Sequence, residues 1–277
     1  MFGILLAGFS SGLSELSDLI GKKEMRARVA SHYTIGFLSI FFGTVFLIAS
    51  GILRDTFVFS FASLPTLVPR ILLEIVQAQI TIMALKRADR SDFGFVRTLT
   101  IPLLLMVDLT LGYAITTGQM FGIAVIVTTV FILFSFEKYR TKGFWLLLGS
   151  AVNAVLTISL YKYDITHFNS VESEQTIVSL IIMLYFFVFA VSRAKENPFS
   201  YLLNPLFAIQ SISSGLAVVI GAFAILFAPA SVITAAFRAL AVLFSIISGK
   251  YYFHEKKFVL KCALFVLIVA GLVLLAR

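Results

Sequence analysis

Apolar and polar positions fall into long blocks along this chain. Ten apolar stretches, each near the 20 or so residues that a helix needs to cross a hydrocarbon core, are separated by short polar connections. Strands of a membrane β-barrel would instead alternate apolar and polar positions over about ten residues. The pattern predicts an all-α integral membrane protein with ten transmembrane helices, over residues 2–20, 30–52, 66–86, 93–113, 117–136, 143–161, 175–193, 204–226, 230–249 and 257–276.

The composition agrees with lipid as the main solvent. Hydrophobic residues make up 60% of the chain and charged residues 13%, against about 25% charged residues in an ordinary soluble domain. The single cysteine, Cys262, excludes an internal disulfide and a cysteine-based metal site. The three histidines lie in or beside polar stretches, so we expect no histidine metal cluster and no membrane enzyme. We therefore predict no metal, no cofactor and no catalytic residue.

Lysine and arginine are unevenly divided between the connections. The odd-numbered connections hold 15 of these residues, and the even-numbered ones hold two, Arg54 and Lys162. The formal net charge of +8 therefore reflects membrane topology and does not predict a nucleic-acid partner. By the positive-inside rule, the odd-numbered connections face the cytoplasm and both termini face outward. We expect a multi-pass protein of a prokaryotic-type cytoplasmic membrane, and the pattern does not fix its oligomeric state.

An internal repeat emerges when the chain is compared with itself. A shift of 141 residues places Gly8 on Gly149 and Arg97 on Arg238, and the predicted span boundaries superpose under the same shift. Two five-helix repeats follow, residues 1–138 and 139–277. Because the number of helices per repeat is odd, the second repeat inserts inverted relative to the first. Inverted repeats are typical of secondary transporters, which bind substrate near the bilayer midplane.

A family resemblance is carried by the last two spans, SVITAAFRALAVLFSIISGKYYFHEKKFVLKCALFVLIVAGLVLLAR, with Glu255 in the turn and Gly271 near the end. In the first half, TLTIPLLLMVDLTLGYAITTGQMFGIAVIV is similar, with Pro102, Gln119 and Gly122. The chain thus resembles the drug/metabolite transporter superfamily, in its ten-helix EamA-like branch. The resemblance implies a transporter fold over the whole chain and no particular substrate. Ala114 stands where the first half would carry the counterpart of Glu255, and the family's termini are cytoplasmic, the reverse of the charge-based prediction.

The first span carries two carboxylates, Glu15 and Asp18, on a stripe with small residues. This stripe resembles the first helix of the small multidrug resistance branch, in which a glutamate exchanges protons for cationic drugs. Pairing of both carboxylates with Lys22 is the alternative interpretation. Either way they need water or a partner, because a charge in hydrocarbon costs about 2.5–3.5 kcal/mol.

Other polar residues inside the spans complete the candidate substrate- and ion-binding set. Arg70, Glu74 and Gln77 form a stripe on the third helix, for which an Arg70–Glu74 pair is the alternative. Pro102 is expected to kink the fourth helix, and the serine- and glycine-rich eighth span either lines a cavity or packs closely against a neighbouring helix. The remaining candidates are Asp108, Asn153, Gln210, Ser214 and Arg238.

The function predicted from these features is secondary active transport of a small polar metabolite, an amino acid or related zwitterion, by alternating access. The partners would be the small-molecule substrate and the lipid bilayer, with protons as the candidate coupling ion. Glu15, Glu74 and Asp108 are expected to border one cavity near Arg238, whose own partner is a protein carboxylate or the substrate. The alternatives are an exporter of organic cations, and a lipid flippase or non-transporting membrane scaffold.

Overall fold

The computed structural model describes residues 2–104, 116–136, 144–224 and 230–275. Helices account for most of these residues, and no strand occurs among them. The short elements are a 3₁₀ turn at Phe61–Ser63, a π-helical segment at Ala190–Ala194 and a helical turn at Pro198–Tyr201. We number the longer helices α1 (Phe2–Arg26), α2 (His32–Arg54), α3 (Leu64–Arg87), α4 (Arg90–Arg97), α5 (Thr117–Phe136), α6 (Phe144–His167), α7 (Val171–Phe189), α8 (Pro205–Ala224), α9 (Ala230–Phe253) and α10 (Phe258–Leu275).

Five segments of the described residues are long and apolar enough to cross a membrane: His32–Arg54, Phe61–Arg87, Trp145–His167, Val171–Ala194 and Ala236–Phe253. Shorter apolar helices cover Thr117–Leu133, Pro205–Gly221 and Phe258–Leu274. The chain is therefore an all-α, membrane-embedded protein, as its hydropathy pattern predicts. The count of ten spans stays a prediction.

Polar residues at the ends of the apolar blocks set several helix boundaries. Ser31 precedes α2 and accepts a hydrogen bond from the Thr34 amide at 3.2 Å, and Ser170 precedes α7 and accepts one from the Ser173 amide, also at 3.2 Å. These hydroxyls satisfy amides that have no partner within the first helical turn. Asp55 ends α2 with φ of 51°, in the left-handed region that aspartate tolerates better than most residues. Both helices thus begin where a polar residue interrupts the apolar pattern.

The fourth predicted span is interrupted early in its course. The amides of Thr98 and Leu99 donate to carbonyls only three residues back, at 3.0 Å each, and α4 ends at Arg97. Pro102 follows four residues after Thr98, has no amide hydrogen to donate to its carbonyl, and its ring crowds that carbonyl. The irregularity therefore lies where a kink from Pro102 is expected.

The chain forms two compact units. Unit 1 comprises Met1–Glu15, Arg87–Val155 and Ile220–Arg277. Within it, α4 packs against α9, α5 packs against α10, and α9 packs against α10. Gly271 on α10 allows the close approach to α5, because an added Cβ would meet the Ile126 side chain at 2.7 Å.

Unit 2 comprises Leu16–Lys86 and Leu156–Val219, with α2 packed against α7. A Cβ at Gly36 would meet the ring of Phe186 at 2.6 Å, so glycine lets α7 seat its aromatic side chain directly on α2. Each unit takes segments from both chain halves. The units therefore do not coincide with the predicted repeats 1–138 and 139–277, which stay a prediction.

Candidate functional site

Unit 1 contains a group of buried charged and polar side chains, which we call the Glu15 cluster. Its central contact is a two-point ion pair: the guanidinium of Arg90 donates to the carboxylate of Glu15 from Nε at 2.8 Å and from Nη2 at 2.5 Å. Ser248 of α9 donates a further hydrogen bond to Glu15. Glu15 is 8% exposed and Arg90 is 4% exposed. The full set is Glu15, Arg90, Ser91, Asp92, Ser248, Glu255 and Lys261.

Glu255, in the turn between α9 and α10, caps the first turn of α4. Its carboxylate accepts from the backbone amides of Arg90 and Ser91, the latter at 3.3 Å, and from the Ser91 hydroxyl. Lys261 donates to Glu255 at 3.2 Å. Gly249 leaves room for this carboxylate, because a Cβ there would lie 2.5 Å from an oxygen of Glu255. The turn glutamate thus joins α4, α9 and α10 at their ends, favoured by the positive end of the α4 dipole.

Lys261 is the second cation of this cluster and lies in the first turn of α10. It is 2% exposed, donates to the Ser91 hydroxyl at 2.6 Å and approaches Asp92 at 3.5 Å. Glu15, Asp92 and Glu255 therefore each face a cation of the same unit, and the desolvation of each carboxylate is offset by an ion pair.

Unit 2 contains a second buried group, which we call the Arg70 cluster. Arg70, 1% exposed, donates to the carboxylate of Glu174, which is fully buried, and to Gln175 at 3.2 Å. Its guanidinium also lies over the ring of Tyr161, 4.5 Å from the centroid, in a cation–π contact. The full set is Thr66, Arg70, Glu74, Tyr161, Asp164, Asn169, Glu174 and Gln175.

Glu74 is the weaker of two carboxylate partners of Arg70. The closest approach of its carboxylate to Arg70 is 4.0 Å and its side chain is 24% exposed, whereas Glu174 makes a direct hydrogen bond. The predicted pair within α3 therefore exists at the distance limit of a salt bridge, and the main partner comes from α7. A buried, hydrogen-bonded pair contributes more than a partly exposed one at 4 Å.

The predicted polar residues of α8 make contacts between helices. Gln210 donates to the Ser39 hydroxyl at 2.8 Å and to the Ser17 hydroxyl at 3.4 Å, and Ser214 donates to the Ser39 carbonyl at 2.7 Å. A Cβ on Gly215 would lie 2.9 Å from the backbone nitrogen of Gly43. These observations favour the packing interpretation of the serine- and glycine-rich eighth span, as small residues allow helix backbones to approach closely.

The other predicted residues have different positions. Asp18, Gln77 and Asn153 are half-buried, and Gln77 donates to Thr81 at 3.2 Å. Arg238 is half-buried on α9, within electrostatic range of Arg97, the residue that the 141-residue shift places on it. Asp108 lies outside the described residues, so the expected cavity that it would share with Glu15 and Glu74 stays a prediction.

Several members of the two clusters were assigned by hydropathy to the connections, although they lie buried at helix ends. They are Arg90, Asp92, Asp164, Glu174, Glu255 and Lys261. The available signal was charge compensation, since Asp92 and Glu255 are acidic residues in segments otherwise rich in lysine and arginine. An isolated acidic residue in such a segment is a candidate partner for a buried cation.

Comparison of the chain with models of known protein families, and with curated proteins, gave no match. The resemblance to ten-helix transporters therefore rests on the residues of this chain. The two charged clusters and the helix boundaries are the observations from which a function is inferred.

Proposed function

We propose that the protein is a secondary transporter that moves a small polar metabolite, an amino acid or related zwitterion, by alternating access between two inverted five-helix repeats. The observation that carries this proposal is the recurrence of helix boundaries near the 141-residue shift. The starts of α2 and α7 are 139 residues apart, those of α3 and α8 and of α5 and α10 are 141 apart, and the ends of α1 and α6 are 141 apart. Such regular recurrence supports duplication of a five-helix segment.

Helix packing supports the same proposal. The packed pairs α2 with α7, α4 with α9 and α5 with α10 each join a helix to the one five positions later. The unit boundaries also recur, because those after Glu15 and Val155 are 140 residues apart and those after Lys86 and Val219 are 133 apart. Counterpart helices meet when two repeats are related by a two-fold axis. Pairing of this kind would not follow from a chain whose halves were unrelated.

The two charged clusters suit closures on the two membrane faces. Members of the Glu15 cluster come from α4 and the turn between α9 and α10, next to the third and ninth connections, whereas Asp164 and Glu174 of the Arg70 cluster flank the sixth. Under the charge-based topology, the odd-numbered connections are cytoplasmic and the even-numbered ones external. Alternating access needs a closure on each face, and a buried ion pair can form and break as water leaves and enters.

The cations of α4 and α9 favour a substrate that carries a carboxylate. Arg238 and Arg97 act on each other electrostatically within unit 1, and an anionic group between two like charges would relieve their repulsion. An exporter of organic cations would instead use Glu15 as its binding carboxylate. Because Glu15 already accepts two hydrogen bonds from Arg90 and one from Ser248, we favour the zwitterion over the organic cation.

Transport by purified protein in proteoliposomes tests this proposal. We expect saturable uptake of at least one radiolabelled zwitterionic amino acid or carboxylate, and loss of that uptake in the Arg238→Gln variant. The matched control is Lys250→Gln, which removes an exposed cation from the end of the same helix. Uptake of quaternary amines alone would favour the organic-cation exporter, and absence of uptake for every class would refute transport of small metabolites.

A lipid flippase is the second candidate, because unit 1 carries an apolar groove of about 550 Å³. The groove is lined by Leu5, Gly8, Phe9, Gly12, Leu13, Leu240 and Phe244, and Leu5 and Phe9 are 70% and 61% exposed. An acyl chain would suit such a lining, whereas a lipid headgroup would need polar contacts along its path. A dithionite-quenching assay with fluorescent lipids separates the candidates: the transporter proposal predicts no increase in the quenched fraction over protein-free vesicles.

The orientation of the chain is tested by cysteine labelling in a Cys262→Ala background. Lys23 in the first connection and His167 in the sixth are both exposed, whereas Glu24 beside Lys23 is buried. We expect an impermeant thiol reagent added to intact cells to label the His167→Cys variant and not the Lys23→Cys variant. The opposite pattern would place the termini in the cytoplasm, as in the family that the chain resembles.

A further inference from the structure

Asp164 is a fully buried carboxyl group in the last turn of α6. One of its oxygens, Oδ1, accepts a hydrogen bond from the Thr66 hydroxyl. The other oxygen, Oδ2, is buried and meets no hydrogen-bond donor among the described residues. The neighbour within hydrogen-bonding range is the carboxyl group of Glu174. Two ionised carboxylates cannot form that contact, whereas one proton between them can.

Glu174 already has the partners of an ionised carboxylate. Its Oε1 accepts from the guanidinium of Arg70, and its Oε2 accepts from the side-chain amide of Asn169 at 2.6 Å. Arg70 is the cation that the described side chains bring to this cluster, and its charge is offset by Glu174. A second ionised carboxylate at Asp164 would therefore be buried without a compensating charge, which is strongly unfavourable.

The helix ends decide which of the two carboxyl groups carries the proton. Glu174 lies in the first turn of α7, where the partial positive charge of the helix favours the ionised form. Asp164 lies in the last turn of α6, which ends at His167, and there the partial negative charge disfavours ionisation. Both helix ends therefore place the negative charge on Glu174 and the proton on Asp164.

We propose that the Arg70 cluster is a proton-binding site, in which Asp164 holds one proton and donates it to the carboxylate of Glu174. The titratable and charged groups that face this pair are Arg70 and Glu74 from α3, Tyr161 from α6 and Glu172 from α7. Because the site is defined by burial and hydrogen bonds within unit 2, the inference goes beyond transport and does not depend on it.

The proton makes the stability of the fold depend on pH with a definite sign. Above about pH 4 an unfolded chain releases the aspartic acid proton, whereas the folded protein retains it. The folded state then binds more protons than the unfolded state, so this contribution to stability is present at low pH and is lost as the pH rises. In the Asp164→Asn variant, the amide can accept from Thr66 and donate to Glu174, as the protonated acid does.

Infrared difference spectroscopy of the purified protein in lipid tests the proton directly. At neutral pH, we expect the carbonyl band of a protonated carboxyl group, shifted in D₂O and lost in Asp164→Asn. The matched control is Glu172→Gln, a half-buried carboxyl at the start of the same α7, which should retain the band. A spectrum in which Asp164→Asn removes no such band would overturn the proposal, because Asp164 would then be ionised.

Thermal unfolding gives an independent readout, with a dye that fluoresces on reaction with the single thiol of Cys262. We expect the Tm of the wild type to fall as the pH is raised from 5 to 8, and the Asp164→Asn variant to show a flatter profile with a higher Tm at pH 8. If the variant proves too unstable to purify, the D₂O-sensitive band of the wild type still decides. A wild-type Tm that rises over this range, with no such band, would refute the shared proton.

Discussion

Replacement of Glu15 by glutamine should separate two roles that this carboxylate could have. As a proton carrier in a water-filled cavity, Glu15 would tolerate the change, because a neutral carboxyl and an amide are nearly isosteric. In the structure, however, Glu15 makes a two-point ion pair with Arg90 and both residues are buried. Glutamine would leave the guanidinium of Arg90 without its counter-charge. We therefore expect Glu15→Gln to destabilise the fold.

The size of this effect follows from the burial of the pair. Glu15 is 8% and Arg90 4% exposed, so little solvent is present to screen the remaining charge. Removal of one partner from a buried ion pair costs about 3–5 kcal/mol. Since 1 kcal/mol corresponds to about 2–4 °C in Tm for chains of about this size, Glu15→Gln should lower the Tm by about 10 °C. The double variant Glu15→Gln/Arg90→Gln should recover part of the loss.

The measurement is thermal unfolding in detergent, followed through Cys262. Asp55→Asn is the control, because it removes an exposed carboxylate at a position with φ of 51° that asparagine also adopts, and its Tm should be unchanged. If Glu15→Gln melts within about 2 °C of the wild type, the ion pair contributes little and the role of Glu15 as a free, proton-binding carboxylate becomes the better account.

Two further predictions concern unit 2 and helix packing. Gly215→Ala should destabilise the protein by about 1–3 kcal/mol, because the added Cβ would lie 2.9 Å from backbone atoms of α2; Gly149→Ala, with nothing within 4 Å of its Cβ, should leave the Tm unchanged or raise it. Glu174→Gln should lower the Tm more than Glu74→Gln, because Glu174 is the buried partner of Arg70 whereas Glu74 is 24% exposed and 4.0 Å away; equal losses would contradict this assignment.

The helical, membrane-embedded character of the fold was predictable because hydropathy integrates over about 20 residues. Several boundaries also followed from the sequence, since Ser31 precedes α2 and α5 begins at Thr117, the first residue of the predicted span. The division into two units was not predictable, because it depends on packing between helices distant in the chain. The boundary after Glu15 falls within α1, where no change in composition marks it.

The clusters were predictable only in part, because hydropathy assigns a charge near a span end to the adjacent connection. Glu15, Arg70 and Glu74 were identified by their position inside apolar segments, where any charge requires a partner. Arg90 and Glu174 were missed, because the chain around each is polar enough to be solvated. Their burial results from tertiary contacts 75 and 104 residues distant in the chain, a separation that no local pattern reports.

The two clusters differ in how a change of pH should act on them. Each carboxylate of the Glu15 cluster faces a cation: Glu15 faces Arg90, and both Asp92 and Glu255 face Lys261. Such pairs favour the ionised forms and break when water or a competing charge enters. In the Arg70 cluster, Asp164 faces another carboxyl group instead, so loss of one proton leaves two adjacent negative charges and favours opening. If both clusters act as closures, protons should control only the one that flanks the sixth connection, and this asymmetry would make a proton gradient across the membrane a directional signal.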